Sequence, residues 1–307
     1  MVLEMKSKYL IIQIDIGNGT QWGNESTINP IRDIFIPSVK NYCKKFQYKY
    51  SLIKESYYEA NYGHFDFLAT KNKHYSFERY FHFNNDYDYT IYIDNDVYIF
   101  PDSEPLPEIK GLRNVREPEG NSSKIFREIN GLDSSYGYFN SGVTFCDNTT
   151  AKKLSSYMIN RLEKKIRANG KNSDNMMLNE FITENREIFF ELDCKWNYMP
   201  FLENSKKTPS PNFFHFVGIF GKQILNTLQD KNINIEEFLN RIKKNRTLKI
   251  QKFFIPKYTS ILQCYDSKYS IKIILNYIRS AFLIKETLKL ITILSLLDLL
   301  GLTLCSR

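Results

Sequence analysis

Two carboxylates one residue apart, Asp94 and Asp96, sit inside the apolar stretch Tyr89-Thr-Ile-Tyr-Ile-Asp94-Asn95-Asp96-Val-Tyr-Ile-Phe100. Side chains alternate faces along extended backbone, so both carboxylates can project to one side at the mouth of a buried strand. Two hard oxygen donors so placed suit a divalent cation, Mg²⁺ or Mn²⁺, that shares its remaining positions with substrate phosphates. A second Asp-x-Asp, Asp86-Tyr87-Asp88, precedes the strand instead of ending it and reads as a solvated turn.

Three later segments add polar groups to apolar surroundings. Tyr138-Phe139-Asn140-Ser141-Gly142-Val143 places an amide, a hydroxyl and a glycine in a strand-like run, either as a bulge or where a ligand or backbone approaches closely. Ser173-Asp174-Asn175-Met176-Met177-Leu178-Asn179 puts a carboxylate and an amide at a helix start, as plain caps or as substrate contacts. Phe214-His215-Phe216-Val217-Gly218-Ile219-Phe220-Gly221-Lys222 offers an imidazole as a third metal ligand. Its glycine-rich turn and lysine can hold phosphate oxygens through backbone N–H groups and a point charge.

The elements that position these groups read as an α/β fold. Lys8–Asp15 is a buried first strand that closes on a carboxylate and Gly17-Asn18-Gly19-Thr20. Residues 30–46 carry apolar residues at helical spacing, and Lys49–Ile53 is extended again, so strand, helix and strand open the chain. A helix is predicted near Phe77–Asn84, strands at Tyr89–Ile93 and Val97–Phe100, then a loop punctuated by Pro101, Pro105 and Pro107. Residues 108–135 are polar and carry no assignable element. Gly137–Cys146 is strand-like, Ala151–Arg167 and Ser173–Glu184 are helical, and Ile188–Leu192 and Phe213–Val217 are short buried strands. From Asn232 the pattern turns helical and basic, then apolar, which divides the chain into residues 1–230 and a C-terminal extension, 231–307.

The 307 residues, 42% of them apolar, suffice for an ordinary core and exclude wholesale disorder. A formal charge of +8 favours phosphates or anionic lipid, but no recognition module interleaves with the basic residues, so nucleic acid is not an expected partner. Five cysteines without a C-x-x-C pair argue for a reducing compartment and against a zinc knuckle. The opening residues contain only Tyr9–Ile12 as an apolar block, too short for a signal-peptide core, which favours the cytoplasm.

Together the four segments resemble, over about Tyr80–Lys222, the GT-A glycosyltransferases of family 8, the type that includes glycogenin and bacterial lipopolysaccharide galactosyl- and glucosyltransferases. The resemblance implies a GT-A (Rossmann-like) mixed central sheet flanked by helices. It also implies a hexose transferred with retention from a nucleotide sugar, UDP-linked by preference, to a glycan, glycolipid or protein. Asp94, Asp96 and His215 would bind Mn²⁺ (or Mg²⁺). Asn140 with Ser141 and Gly142 would contact the donor sugar, Asp174 the sugar or acceptor, and Gly218 and Lys222 the diphosphate. Lys222 lies one residue further from Gly218 than in the family pattern. Arg79, in Phe77-Glu78-Arg79-Tyr80, would contact the nucleotide. Asp15 stands in the nucleoside loop, where the sequence departs from the Thr- or Asn-rich pattern. Trp196-Asn197 is similar to a Trp-Asn that often follows. Same-face attack, in which the departing phosphate helps deprotonate the acceptor, needs no dedicated protein base, so His64, His74 and His82 are given no catalytic role.

Two rival readings keep a nucleotide-sugar site: a non-catalytic binding protein for nucleotide sugar or phospholipid, and a nucleotide-sugar pyrophosphorylase. The latter wants a basic glycine-rich loop after the first strand, and Gly17–Thr20 lacks the Arg or Lys. Residues 241–257 are basic without an acidic member, and Leu290–Leu304 is apolar but spans only about 22 Å as a helix, short of a bilayer core. The stretch 241–304 therefore reads as a peripheral contact with an anionic membrane surface or as an oligomer contact.

Overall fold

The computed structural model describes residues 7–16, 29–62, 75–117, 120–167, 174–199, 210–230 and 232–244. The expectations for Gly17–Thr20, His64, His74, Ser173 and the stretch beyond residue 244 lie outside them. Residues 1–250 form one compact unit and 251–307 a second.

The first strand, β1 (Tyr9–Ile14), is buried on both faces, which is why its sequence is apolar except for Gln13 instead of alternating. Leu10, Ile12 and Ile14 enter the core on one side of the sheet and Ile11 the core on the other. A π-helical turn at Ile31–Phe35 leads into α1 (Ile36–Phe46), which returns the chain to β2 (Lys49–Ile53), parallel to β1. Two short helices, α2 (Tyr57–Tyr62) and α3 (Tyr75–Phe81), precede β3 (Tyr89–Ile93). This strand pairs in parallel with the opposite edge of β1. Strand order thus reverses at β1, and the crevice beyond the carboxyl ends of β1 and β3 is a topological switch point, where α/β folds place their ligands.

Beyond β4 (Val97–Ile99), the chain forms β5 (Leu112–Arg116), α4 (Asn121–Asn130), β6 (Phe139–Asp147), α5 (Asn148–Arg167), α6 (Asp174–Glu184) and β7 (Phe189–Glu191). The main sheet has the order β2-β1-β3-β6-β5-β7, with β6 antiparallel to both neighbours. Consequently β3 and β5 deliver their carboxyl ends to the same edge. A separate two-stranded sheet joins β4 to β8 (Phe213–His215), and α7 (Gly218–Asp230) and α8 (Ile235–Lys244) follow.

β5 and α4 occupy the polar region that carried no assignable element. The strand is masked by Asn114, whose buried amide donates to Asn140 O (3.0 Å), Val143 O (3.0 Å) and Thr144 Oγ1 (2.8 Å). The amphipathic pattern of α4 is masked because Ile125 and Ile129 face solvent while Phe126 is buried. In the basic run, Arg241 pairs with Glu237 at 2.5 Å, and Lys243 pairs with Asp102 in the proline loop and covers the Phe100 ring. Among the described residues no helix is long and apolar enough to cross a membrane.

α2 is held to α3 by a buried carboxylate. Glu78 accepts from Ser56 Oγ (2.9 Å) and Tyr57 N–H (2.5 Å), and His82 Nε2 lies 3.4 Å from it. Burial alone would raise its pKa, but the hydrogen bonds from His82, Ser56 and Tyr57 outweigh burial and hold it below the ordinary value of 4.5. A depressed carboxylate stabilises the fold above its unfolded pKa and loses that contribution as pH falls through the folded one. Glu78→Gln should therefore cost about 1.5–3 kcal/mol at neutral pH. Denaturant titrations of both proteins should show that difference shrinking as the pH drops below about 4.

Candidate metal centre

Asp94 and Asp96 follow directly on β3, in the turn between β3 and β4. His215 ends β8, which pairs antiparallel with β4 so that Val97 lies opposite His215. Phe216 N–H donates to Asp96 O at 2.9 Å and locks this return. The small sheet is thus the device that brings an imidazole, more than a hundred residues later in the chain, back to the two carboxylates. His215 Nε2 is 3.2 Å from Asp96 Oδ1 and 3.9 Å from Asp94 Oδ2, and one ligand atom from each residue falls within 4.8 Å of the others.

Three observations fit this triad to a divalent cation. Asp96 is nearly fully buried, and among the described residues its Oδ1 receives no hydrogen bond while the His215 Nε2, 3.2 Å away, carries no proton. A buried carboxylate oxygen without a donor is costly unless a cation meets it. The donor set of two carboxylates and an imidazole suits Mn²⁺ or Mg²⁺. Gly142 lies beside the triad, with Asp94 N–H donating to Gly142 O at 2.7 Å. A Cβ on Gly142 would sit 2.4 Å from His215 Cε1 and 2.5 Å from Asp94 Oδ2, so glycine keeps that space open. Burial lowers the His215 pKa, but the Asp96, Asp94 and Glu117 carboxylates overcome that term and raise it on balance.

Around the triad, Asn140, Ser141, Asp174 and Arg79 also converge. Asn179 on α6 exchanges two 2.8 Å hydrogen bonds with the backbone of Phe139, pinning that helix to β6. Asn175 Oδ1 then accepts from Ser141 N–H at 2.7 Å, and Asp174 Oδ2 accepts from Ser141 Oγ at 2.8 Å. Arg79, expected beside the nucleotide, is enclosed by protein, its side chain 2% exposed. It pairs with Asp174, donates to Ser141 O at 2.7 Å and to Ser76 O at 2.8 Å, and faces Asp94 Oδ1 at 3.9 Å. Its guanidinium also lies over the Tyr92 ring, whose hydroxyl donates to Asp94 Oδ1 at 2.6 Å.

Asp15 lies beyond the carboxyl end of β1, where its carboxylate receives the fork of Arg32: Nε to Oδ2 at 3.1 Å and Nη2 to Oδ1 at 3.0 Å. The adjoining Gln13 is buried between Tyr50 OH (2.9 Å) and Asp94 O (3.4 Å). Gly218 opens α7, so the expected glycine-rich turn is the start of a helix, the kind of backbone end that favours an anion. Lys222 follows in the same helix, and its side chain lies outside the described part of the structure. Gly221 packs against the backbone of Phe216, where a Cβ would meet Phe216 O at 1.8 Å.

Reading the residues one segment at a time misses two members of this cluster's surroundings. Glu117, just past β5, accepts from Asn140 Nδ2 (2.7 Å) and Asn175 Nδ2 (3.1 Å). Burial is the main influence on it and raises its pKa against those two hydrogen bonds. Its signal is its place at a strand's carboxyl end, visible only once β5 is assigned. Asn197, noted only as part of a Trp-Asn pair, is fully buried, and its Oδ1 lies 2.8 Å from His215 Nδ1.

A sequence model described as Glycosyl transferase family 8 matches residues 31–222. No curated protein matches the sequence. Among solved structures, the chain is similar to a glycosyltransferase involved in the glycosylation of the major capsid of PBCV-1, at 14% identity and a TM-score of 0.48 over 73% of this chain and 98% of that one. It is similar to the galactosyltransferase LgtC in complex with donor and acceptor sugar analogs, at 14% identity and a TM-score of 0.43 over 75% and 98%. For mouse xyloside xylosyltransferase 1 the values are 15%, 0.37, 67% and 97%.

Proposed function

The chain belongs to glycosyltransferase family 8, and on that premise we propose that it transfers a hexose from a nucleoside-diphosphate sugar, UDP-linked by preference, to a glycan, glycolipid or protein acceptor. The reaction is metal-dependent and retains the anomeric configuration. The observation that carries this reading is the meeting of Asp94, Asp96 and His215 at the switch point, with a buried Asp96 oxygen that among the described residues has only the His215 ring beside it as a partner.

Cleavage of a sugar–phosphate bond leaves negative charge on the nucleoside diphosphate. A divalent cation held by Asp94, Asp96 and His215 would supply the electrostatic stabilisation that this charge requires. The start of α7 at Gly218 contributes backbone N–H groups toward the same anion, and Lys222 is assigned to it as a point charge. Asn140 and Ser141, with Gly142 leaving room between them and the metal ligands, are assigned to the donor sugar. Asp174 is assigned to a sugar or acceptor hydroxyl: among the described residues its contacts from Arg79 and Ser141 fall on Oδ2, which leaves Oδ1 for substrate. Asp15, tied to Arg32, is assigned to the nucleoside. Same-face attack lets the departing phosphate take the acceptor proton, so no general base is assigned. We read residues 231–307 as an extension that brings the enzyme to an anionic cytoplasmic membrane surface.

The test is release of nucleoside diphosphate from a panel of UDP-, GDP- and dTDP-sugars with Mn²⁺, comparing wild type with Asp94→Asn/Asp96→Asn. Release from one donor that disappears in the double variant is the expected result. Silence across the panel from folded protein that binds no nucleotide contradicts the reading.

A further inference from the structure

We infer that Asn197 is a positioning residue that presets the tautomer of His215, and that it ties the metal centre to the donor-side amide of Asn140. This inference rests on the metal-site reading above and goes beyond it.

The argument is one of hydrogen-bond polarity. Side-chain amides and imidazoles can each be turned end for end, so their orientation needs an unambiguous anchor. Here the anchor is a backbone group: Gly142 N–H can only donate, and it donates to Asn140 Oδ1 at 2.9 Å. Asn140 must therefore present its oxygen to Gly142 and its Nδ2 to Glu117, a carboxylate acceptor 2.7 Å away. The same Asn140 Oδ1 receives Asn197 Nδ2 at 2.9 Å, so Asn197 in turn presents its own oxygen to His215 Nδ1 at 2.8 Å. In the neutral imidazole the proton thus resides on Nδ1, and the lone pair on Nε2 points at the Asp96 and Asp94 carboxylates. In that tautomer a lone pair on Nε2 faces, at 3.2 Å, a carboxylate oxygen that has no donor among the described residues, an unfavourable pair of acceptors that a cation between them resolves. The ring is held in ligating form by a chain that begins at Glu117, passes Asn140 and ends at Asn197, as outer partners commonly fix metal-bound histidines.

Because Asn197 donates on one side and accepts on the other, its two functions separate by substitution. Asn197→Leu removes both hydrogen bonds and should weaken Mn²⁺ binding roughly 10- to 100-fold in calorimetric titration. Asn197→Asp keeps an acceptor for Nδ1–H but sets an oxygen against Asn140 Oδ1. Its Mn²⁺ affinity should stay within about threefold of wild type while KM for the donor sugar rises about tenfold or more. A readout independent of any variant is the nitrogen-15 spectrum of His215 in the metal-free full-length chain, where the Nδ1–H tautomer is expected in the neutral ring. The Nε2–H tautomer there, or wild-type Mn²⁺ affinity in folded Asn197→Leu, overturns the inference. If wild type itself binds no Mn²⁺, the metal-site reading fails and this inference with it; normal wild-type binding that Asn197→Leu leaves untouched removes this inference alone.

Discussion

Asp96→Asn is expected to lower turnover at least about a hundredfold while leaving the metal-free protein, at a pH where His215 is neutral, as stable as wild type or more so. The two effects would separate because the proposed role of Asp96 is to bind a cation at the expense of the apo fold. Its carboxylate is buried, its Oδ1 has no donor among the described residues when His215 is neutral, and a second carboxylate, Asp94, shares the neighbourhood. With the ring neutral, an amide in its place removes one negative charge and offers N–H to the His215 Nε2 lone pair, which relieves the acceptor-against-acceptor contact. The same change deletes a hard anionic ligand, and a metal site with one carboxylate fewer holds Mn²⁺ poorly. Melting curves with and without Mn²⁺ check both halves. Wild type should be stabilised by the ion, since a ligand bound only to the native state raises its stability by mass action. Asp96→Asn should show no ion-dependent shift. A variant that retains wild-type turnover would remove Asp96 from the mechanism.

Arg79→Met is expected to be the most destabilising single change around the site, at about 3–5 kcal/mol. The guanidinium is enclosed by Tyr80 and Tyr92 and neutralises Asp174 by direct contact and Asp94 at 3.9 Å. Removing one partner of such an ion pair leaves the carboxylates charged and only partly solvated, and that penalty exceeds the value of the pair itself. Met fills much of the volume, so the loss reports electrostatics more than packing. Urea unfolding of Arg79→Met, Asp174→Asn and the double variant gives the coupling directly: the double variant should recover a good part of the single loss, because its uncompensated carboxylate is gone. Additive losses would show that Arg79 and Asp174 do not act as a pair. Arg79→Lys should rescue only partly, since an ammonium cannot reproduce the fork that reaches Ser141 and Ser76 while pairing Asp174.

Legibility in the sequence followed burial. β1 and β3 are apolar but for the buried Gln13 and Thr90 because both faces are covered, so their ends, and with them Asp15, Asp94 and Asp96, could be located from residue types alone. His215 was legible as a histidine at a strand end, but its distance from Asp96 depends on the antiparallel pairing of β4 with β8, which no local pattern announces. β5 stayed hidden because its structural residue is a buried asparagine that crosslinks β6 by hydrogen bonds instead of apolar contact. With β5 unassigned, Glu117 had no strand end to belong to. The fate of Arg79 was illegible for a different reason: arginine is seldom buried, and only the three-dimensional meeting of Tyr92, Ser141 and Asp174 makes burial tolerable. Family resemblance supplied Asn140 and Asp174 as residues of interest, whereas the polarity running through Asn140 and Asn197 needs the register of β6 and the backbone N–H of Gly142.

The most direct test of the central claim, that Asp94, Asp96 and His215 form a metal site through which a nucleoside diphosphate is held, is calorimetric titration of the full-length protein with UDP, GDP and dTDP. Each nucleotide is titrated once with saturating Mn²⁺ and once with a chelator present. One nucleotide should bind at least about tenfold more tightly with Mn²⁺, corresponding to about 1.4 kcal/mol or more of coupling, and Asp96→Asn should erase that difference. Equal nucleotide affinity with and without Mn²⁺ in the wild-type protein would contradict the account.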